Sequence, residues 1–275
     1  MTDSTVLVEK RTRIMGVLNC TPDSFSDGGM YSSVPAAVER AVQMAEEGAD
    51  IIDIGGESSR PGSEPVPARE ELERVMPVIQ ALKGKIEVPL SIDTYKSEVA
   101  REALAGGVSI VNDITALGGD PDMARTIAEF KAGVVLMHMK GDPRTMQDEP
   151  YYHDVVAEVY SFLSGAVDLA VSEGIDPEKI VVDPGIGFGK TAEHNLTILR
   201  ELRRFLELGK PVLVGTSRKS FIGALTGKEI AARSFGTAAS VAAAVMNGAS
   251  MVRVHDVAAA RDIVRVADAI AGEKE

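Results

Sequence analysis

The chain is 275 residues long, 45% hydrophobic and 25% charged, ordinary values for a water-soluble protein able to bury a sizeable core. Its 41 acidic against 29 basic side chains leave a net charge of −12, which argues against nucleic acid as a partner. A small anionic ligand is still allowed, because that depends on the few cations that face it. The single cysteine, Cys20, rules out an intrachain disulfide and a thiolate-rich zinc centre and fits a reducing cytoplasm. No basic leader with a long apolar core and no run of 18 apolar residues marks a signal peptide or a membrane span.

The first strand is expected at Arg13 to Leu18. It leads into NCTPDSFSDGG, Asn19 to Gly29, a polar stretch holding Pro22, Gly28 and Gly29 that exceeds the usual strand-to-helix connection. We expect it to be a mobile loop over an active site. From there one theme recurs: a helix-like segment ends at Gly, a short apolar run follows, and the run stops on a polar residue. Gly48, Gly107 and Gly248 each precede such a run. The strands expected are Ile51 to Ile54, Val88 to Asp93, Ile110 to Asn112, Val134 to His138, Ile180 to Asp183, Val212 to Gly215 and Met251 to Val254. All are rich in Val and Ile without polar alternation, as for strands covered on both faces. Helical patterns fall at 34–47, 68–83, 95–105, 121–131, 153–173, 192–208, 232–246 and 256–271.

Eight strands and eight helices alternating without a linker predict an α/β fold: one parallel eight-stranded β/α (TIM) barrel domain over residues 1–275, with its core at about 13–272. An open doubly wound sheet is the alternative. In the barrel, the C-terminal strand ends gather on one face. They carry Asn19, Asp53, Asp93, Asn112, His138, Asp183, Ser217, Arg253 and His255.

Two carboxylates and an amide, Asp93, Asp183 and Asn112, follow buried strand residues, where unpaired polar groups are costly. Converging on one mouth, they suit a flat heterocycle with several N–H donors. DPGIGFGKT, Asp183 to Thr191, ends like a phosphate loop, but Pro184 stands where the first glycine belongs, and the glycines are also out of phase for a dinucleotide fingerprint. These glycines are expected to let backbone approach a ligand closely. GTSRKSFIG places Arg218 and Lys219 after the seventh strand, GGESSRPGS places Arg60 after the second, and Arg253 and His255 follow the eighth. Four cations and a histidine around one mouth suit a phosphate or diphosphate. His138, His153, His194 and His255 have no metal-ligand spacing, and Cys20 has no adjacent base to make it a nucleophile.

Taken in order, NCTPDSFSDGG, GADIIDIGGESSRPGS, SIDTYK, VNDI, LMHMKG, DPGIGFGK, GTSRKSFIG and RVHD closely resemble the dihydropteroate synthases, from about Ile14 to Asp256. Cys20 stands in place of the family's usual valine and Ser59 in place of its threonine. The resemblance implies a barrel enzyme, a transferase of folate biosynthesis and a sulfonamide target. Such an enzyme joins 6-hydroxymethyl-7,8-dihydropterin diphosphate to p-aminobenzoate by an SN1-like route with Mg2+, giving 7,8-dihydropteroate and pyrophosphate. It implies pterin contacts at Asp93, Asn112, Met137, Asp183, Phe188 and Lys219. Diphosphate contacts would fall at Asn19, Arg60, Arg253 and His255, with Asn19 the metal position. The p-aminobenzoate side would be Phe25, Ser59, Pro61 and Ser220. Asn19, Arg60, Lys219, Arg253 and His255 would carry the chemistry. A homodimer is the family's usual state. Pterin-dependent corrinoid methyltransferases and a non-catalytic pterin-binding paralogue are the alternatives, against which TPDSFSDGG and the SRK cluster speak for diphosphate chemistry.

Overall fold

Eight apolar runs become eight parallel strands: β1 (Arg13–Asn19), β2 (Ile51–Gly55), β3 (Leu90–Asp93), β4 (Ile110–Asp113), β5 (Gly133–Met137), β6 (Ile180–Asp183), β7 (Leu213–Val214) and β8 (Met251–Val254). The structure, a computed structural model, describes residues 11–21, 29–59 and 62–272. The strands hydrogen-bond in the order β6-β5-β4-β3-β2-β1-β8-β7. Between β6 and β7 the closure rests on a bridge at Val182↔Val212 and on the Val182 N–H bonding to the Pro211 carbonyl at 3.0 Å. Pro211, just before β7, has no N–H to add to this seam.

The helices are α1 (Gly29–Glu47), α2 (Ala68–Leu82), α3 (Ser97–Ala105), α4 (Met123–Phe130), α5 (Val155–Ser172), α6 (Ala192–Arg200), α7 (Ser220–Thr226), α8 (Ser234–Met246) and α9 (Val257–Ala271). Three start as their sequences ask. Asp154 accepts from the N–H of Val156 and Ala157, Asp256 from that of Ala259, and Thr191 with His194 forms a capping box. Alone among the described residues, α5 is long and apolar enough to cross a membrane by length and composition, but Val155, Val159, Leu163 and Ala170 are buried against the barrel.

Three helical boundaries differ from expectation. α1 begins at Gly29 and carries Pro35 inside it, so its start precedes the proline that suits a first turn. The pattern at 192–208 breaks after Arg200 into a 3-10 turn, Leu202–Leu208, which keeps Leu202 and Phe205 in the core. α7 is an additional short helix in which only Phe221 and Ile222 are buried, too few apolar positions to read as a period.

Side chains two residues apart on a strand share a face, and this rule builds the mouth. Met15, Ile51, Ile110, Val135, Val181, Leu213 and Met251 form a cluster of their own inside the barrel. Two residues further along the same strands stand Val17, Asp53, Asn112, Met137, Asp183, Gly215 and Arg253. The first layer is an apolar plug; the second is the floor of a site. Outward-facing residues such as Ile52, Ile54, Val111 and Val252 pack with the helices.

Candidate active site

The floor opens into a cleft of about 420 Å3, counted out to solvent, lined by Val17, Ser59, Asn112, Ile114, Met137, Asp183, Phe188, Gly215, Ser217, Lys219, Arg253 and His255. The structure thus brings eight of the sequence-assigned residues together: Ser59, Asn112, Met137, Asp183, Phe188, Lys219, Arg253 and His255. Asp93, level with Asn112 in the strand register, joins them, its Oδ2 accepting from Arg253 Nη2 at 2.6 Å. Asn19 ends β1 beside Gly55 at the same mouth but does not line the cleft. Ser220 is exposed at the first residue of α7, also outside the lining. Phe25, Arg60 and Pro61 lie outside the described residues. Arg218, counted by sequence among the cations of the mouth, is exposed, and its N–H bonds to Thr237 Oγ1 at 3.1 Å.

On one side stand Asp183, Asn112 and Lys219. Asp183 is 6% exposed, and its Oδ1 accepts the Gly185 N–H at 2.7 Å. Burial pushes its carboxyl above the ordinary range, with the Lys219 charge opposing. Lys219 Nζ donates to the Ile186 carbonyl and lies 4.4 Å from the centre of the Phe188 ring. Burial lowers its ammonium to about 8, with Asp183 opposing. Asn112 Nδ2 donates to Asp53 Oδ2 at 3.0 Å.

Across the mouth, Arg253 Nε donates to Asp53 Oδ2 at 2.7 Å while Nη2 holds Asp93. Burial raises the Asp93 carboxyl to about 7, with Arg253 opposing. His255 Nδ1 is 3.0 Å from Ser217 Oγ, and its backbone carbonyl accepts from Arg40 Nη2 at 3.0 Å. The loop carrying Ser59 is anchored at its stem by Glu57. This side chain accepts from Tyr95 OH at 2.8 Å, from the Val66 N–H at 3.0 Å and from Lys96.

Two glycines of DPGIGFGK make room within the chain itself. A Cβ on Gly185 would stand 1.9 Å from the His138 carbonyl oxygen, and one on Gly189 would stand 2.3 Å from that of Lys140. They therefore admit the backbone of the loop after β5, and both have left-handed φ, 68° and 60°. Lys190, whose GKT setting copies a phosphate loop, is buried instead. Its Nζ meets His138 Nδ1 at 2.9 Å and the Phe188 carbonyl at 3.0 Å. Burial and then the Lys190 charge depress the His138 ring to about 3, so the imidazole is neutral. The pair fixes Phe188 as a wall of the cleft.

Sequence reasoning gave no role to Asp53, Ile114 or Ser217. Asp53 and Ser217 stand at strand ends and could have been tested by the two-residue rule; Ile114 follows β4 and carries no polar signal. Among the described residues no group of three or more His, Cys, Asp or Glu could hold a metal ion.

Residues 15–255 match the pterin-binding enzymes. A dihydropteroate synthase from Synechocystis is 51% identical over 262 residues, 95% of this chain and 91% of that protein. The solved dihydropteroate synthase from Xanthomonas albilineans in complex with 7,8-dihydropteroate is 45% identical with a TM-score of 0.86, covering 96% of this chain and 95% of that one. That from Thermus thermophilus in complex with 4-aminobenzoate is likewise 45% identical, with a TM-score of 0.85 and 96% of both chains covered. With its barrel, its polar floor above an apolar plug and these relatives, the chain belongs to the pterin-binding enzymes and, among them, to the dihydropteroate synthases, a family of transferases.

Proposed function

We propose that the cleft binds 6-hydroxymethyl-7,8-dihydropterin diphosphate and p-aminobenzoate and joins them to give 7,8-dihydropteroate and pyrophosphate. The observation that carries this reading is the gathering of two kinds of group in one cleft: Asp183, Asn112 and Lys219, which suit a heterocycle, and Arg253 with His255 and Ser217, which suit a diphosphate. Asp183 and Asn112 accept from the amino and ring N–H groups of the pterin, and Lys219 donates to its carbonyl side. Met137 and Phe188 are the apolar walls that hold water from the ring. Arg253 and His255 face the diphosphate, together with Asn19 and Arg60. Phe25, Ser59, Pro61 and Ser220 form the p-aminobenzoate side.

In the reaction the bond from the pterin CH2 to the diphosphate oxygen breaks with its electrons leaving on diphosphate. The aniline nitrogen forms the new C–N bond and releases a proton. The electron-rich pterin shares the developing cation, so no strong general base is needed, and the cations hold the departing charge. Mg2+ fits the donors at hand if diphosphate oxygens and water complete its shell, because it commonly takes few protein ligands and Asn19 offers one amide oxygen. When bound, Mg2+ would neutralise the leaving diphosphate. A reducing cytoplasm suits the single cysteine. The deciding assay is pyrophosphate release from the pterin substrate: it should require p-aminobenzoate, and release at the same rate without it would overturn the reading.

Lys219 gives the reading a pH signature. Charged below about 8, it loses its proton as the pH rises through that value. The affinity for pteroic acid should fall between about pH 7 and pH 9 in calorimetry, and Lys219→Ala should flatten that fall. Any titration of Asp93 is common to both chains, so equal slopes would remove Lys219 from pterin binding.

The proposed assembly is a homodimer through α7 and α8. Leu225, Ile230 and Phe235 there are 60%, 57% and 81% exposed, an apolar face suited to a second copy. Sedimentation should give a dimer for the wild-type chain and a monomer for Phe235→Glu; a dimer in both would place the interface elsewhere.

A further inference from the structure

Asp53 is fully buried and does not line the cleft, yet one of its oxygens takes two functional donors. Oδ2 accepts from Asn112 Nδ2 at 3.0 Å and from Arg253 Nε at 2.7 Å. Oδ1 is buried without a hydrogen-bond partner among the described residues. A carboxylate kept only for stability would be expected to satisfy both oxygens, since an orphaned buried acceptor is costly. The two donors come from opposite functional halves, β4 on the heterocycle side and β8 on the phosphate side.

We infer that Asp53 is a positioning residue that fixes, through one oxygen, the hydrogen-bond polarity of Asn112 and the direction of the Arg253 guanidinium. A carboxylate can only accept, so the group Asn112 turns toward it is the amino group. That leaves Asn112 Oδ1 for the cleft, where with Asp183 it presents acceptors to a ring edge that carries N–H donors. An Asn112 turned over would offer a donor there and reject the same edge. On the other side, Nε is held by Asp53 and Nη2 by Asp93, so the Nη1 side of the guanidinium is the part left to meet anionic oxygens. Asp53 thereby joins recognition of the heterocycle to recognition of the leaving group.

The proposal rests on the pterin and diphosphate reading and is tested with pteroic acid and inorganic pyrophosphate as separate calorimetric probes. Asp53→Ala should weaken both by roughly tenfold or more, the range for losing a hydrogen bond to a charged group. Asn112→Ala should weaken only pteroic acid, and Arg253→Ala only pyrophosphate. Adding Asp53→Ala to Asn112→Ala should cost no further pteroic acid affinity, although it should still weaken pyrophosphate. A merely structural Asp53 would instead add its loss to both. Asp53→Asn, whose amide oxygen can still accept, should recover most of the pteroic acid affinity. Should Asp53→Ala fold poorly, Asp53→Val makes the same cut while keeping bulk on a buried strand. Unchanged affinities in the variants lacking an acceptor, or full additivity with Asn112→Ala, would overturn the role of Asp53 and leave the reaction standing. A wild-type chain that bound neither probe would bring down the functional reading, and the role of Asp53 with it.

Discussion

Asp183→Asn and Lys219→Ala are each expected to weaken pteroic acid binding by about 2 to 5 kcal/mol, the range for truncating one member of a buried charged hydrogen-bonding set. The two side chains line one cleft and act on each other through their charges, each hydrogen-bonded elsewhere: Asp183 to the Gly185 N–H, and Lys219, over the Phe188 ring, to the Ile186 carbonyl. In Asp183→Asn the neighbouring Lys219 loses the charge that opposes its desolvation, so part of the effect is a penalty on the partner left behind. Their combined loss should therefore be less than the sum of the two. Calorimetry on both single variants and on the double variant checks this, and affinities equal to wild type in both singles would place the heterocycle elsewhere.

Gly185→Ala should be at least as damaging, although it removes no interaction. Its Cβ would meet the His138 carbonyl oxygen at 1.9 Å, so the loop or the end of β5 must move. Left-handed φ adds roughly 1 to 2 kcal/mol for any residue with a Cβ, and overpacking typically adds another 1 to 3 kcal/mol. A stability loss of about 2 to 5 kcal/mol in urea unfolding is expected, together with weaker pteroic acid binding, because the Gly185 N–H holds Asp183. Gly165→Ala, in α5 with nothing near its Cβ, should be neutral or slightly stabilising and serves as the control. Equal midpoints for the two variants would show that the loop is free to give way.

Much of the barrel was legible because its signals are local. Val- and Ile-rich runs that follow Gly48, Gly107 and Gly248 need no knowledge of distant partners to read as buried strands. The assignments that fell into the cleft were legible for a related reason: Asn112, Asp183 and Arg253 sit two residues beyond apolar strand positions, so strand geometry alone aims them at the mouth. Asp53 obeys the same rule, but its partners lie 59 and 200 residues away, and nothing in IIDIG tells a buried clamp from a ligand contact. The glycines of DPGIGFGK declared a close approach without declaring to what. Lys190 carried no role in the sequence once the phosphate-loop register failed, because its partners are His138, 52 residues earlier, and the Phe188 carbonyl. α7 was missed because two buried residues cannot display a helical period.

The apolar plug also governs traffic. Met15, Ile51, Ile110, Val135, Val181, Leu213 and Met251 fill the barrel beneath the floor, so a ligand on the floor cannot pass on down the barrel axis. A heterocycle resting on Asp183 and Asn112 is then expected to arrive before, and to leave after, a molecule seated beside Ser59. A molecule lodged there would trap the heterocycle already inside and bar the next one. Such an order, last in and first out, would be imposed by the architecture without any gate having to enforce it.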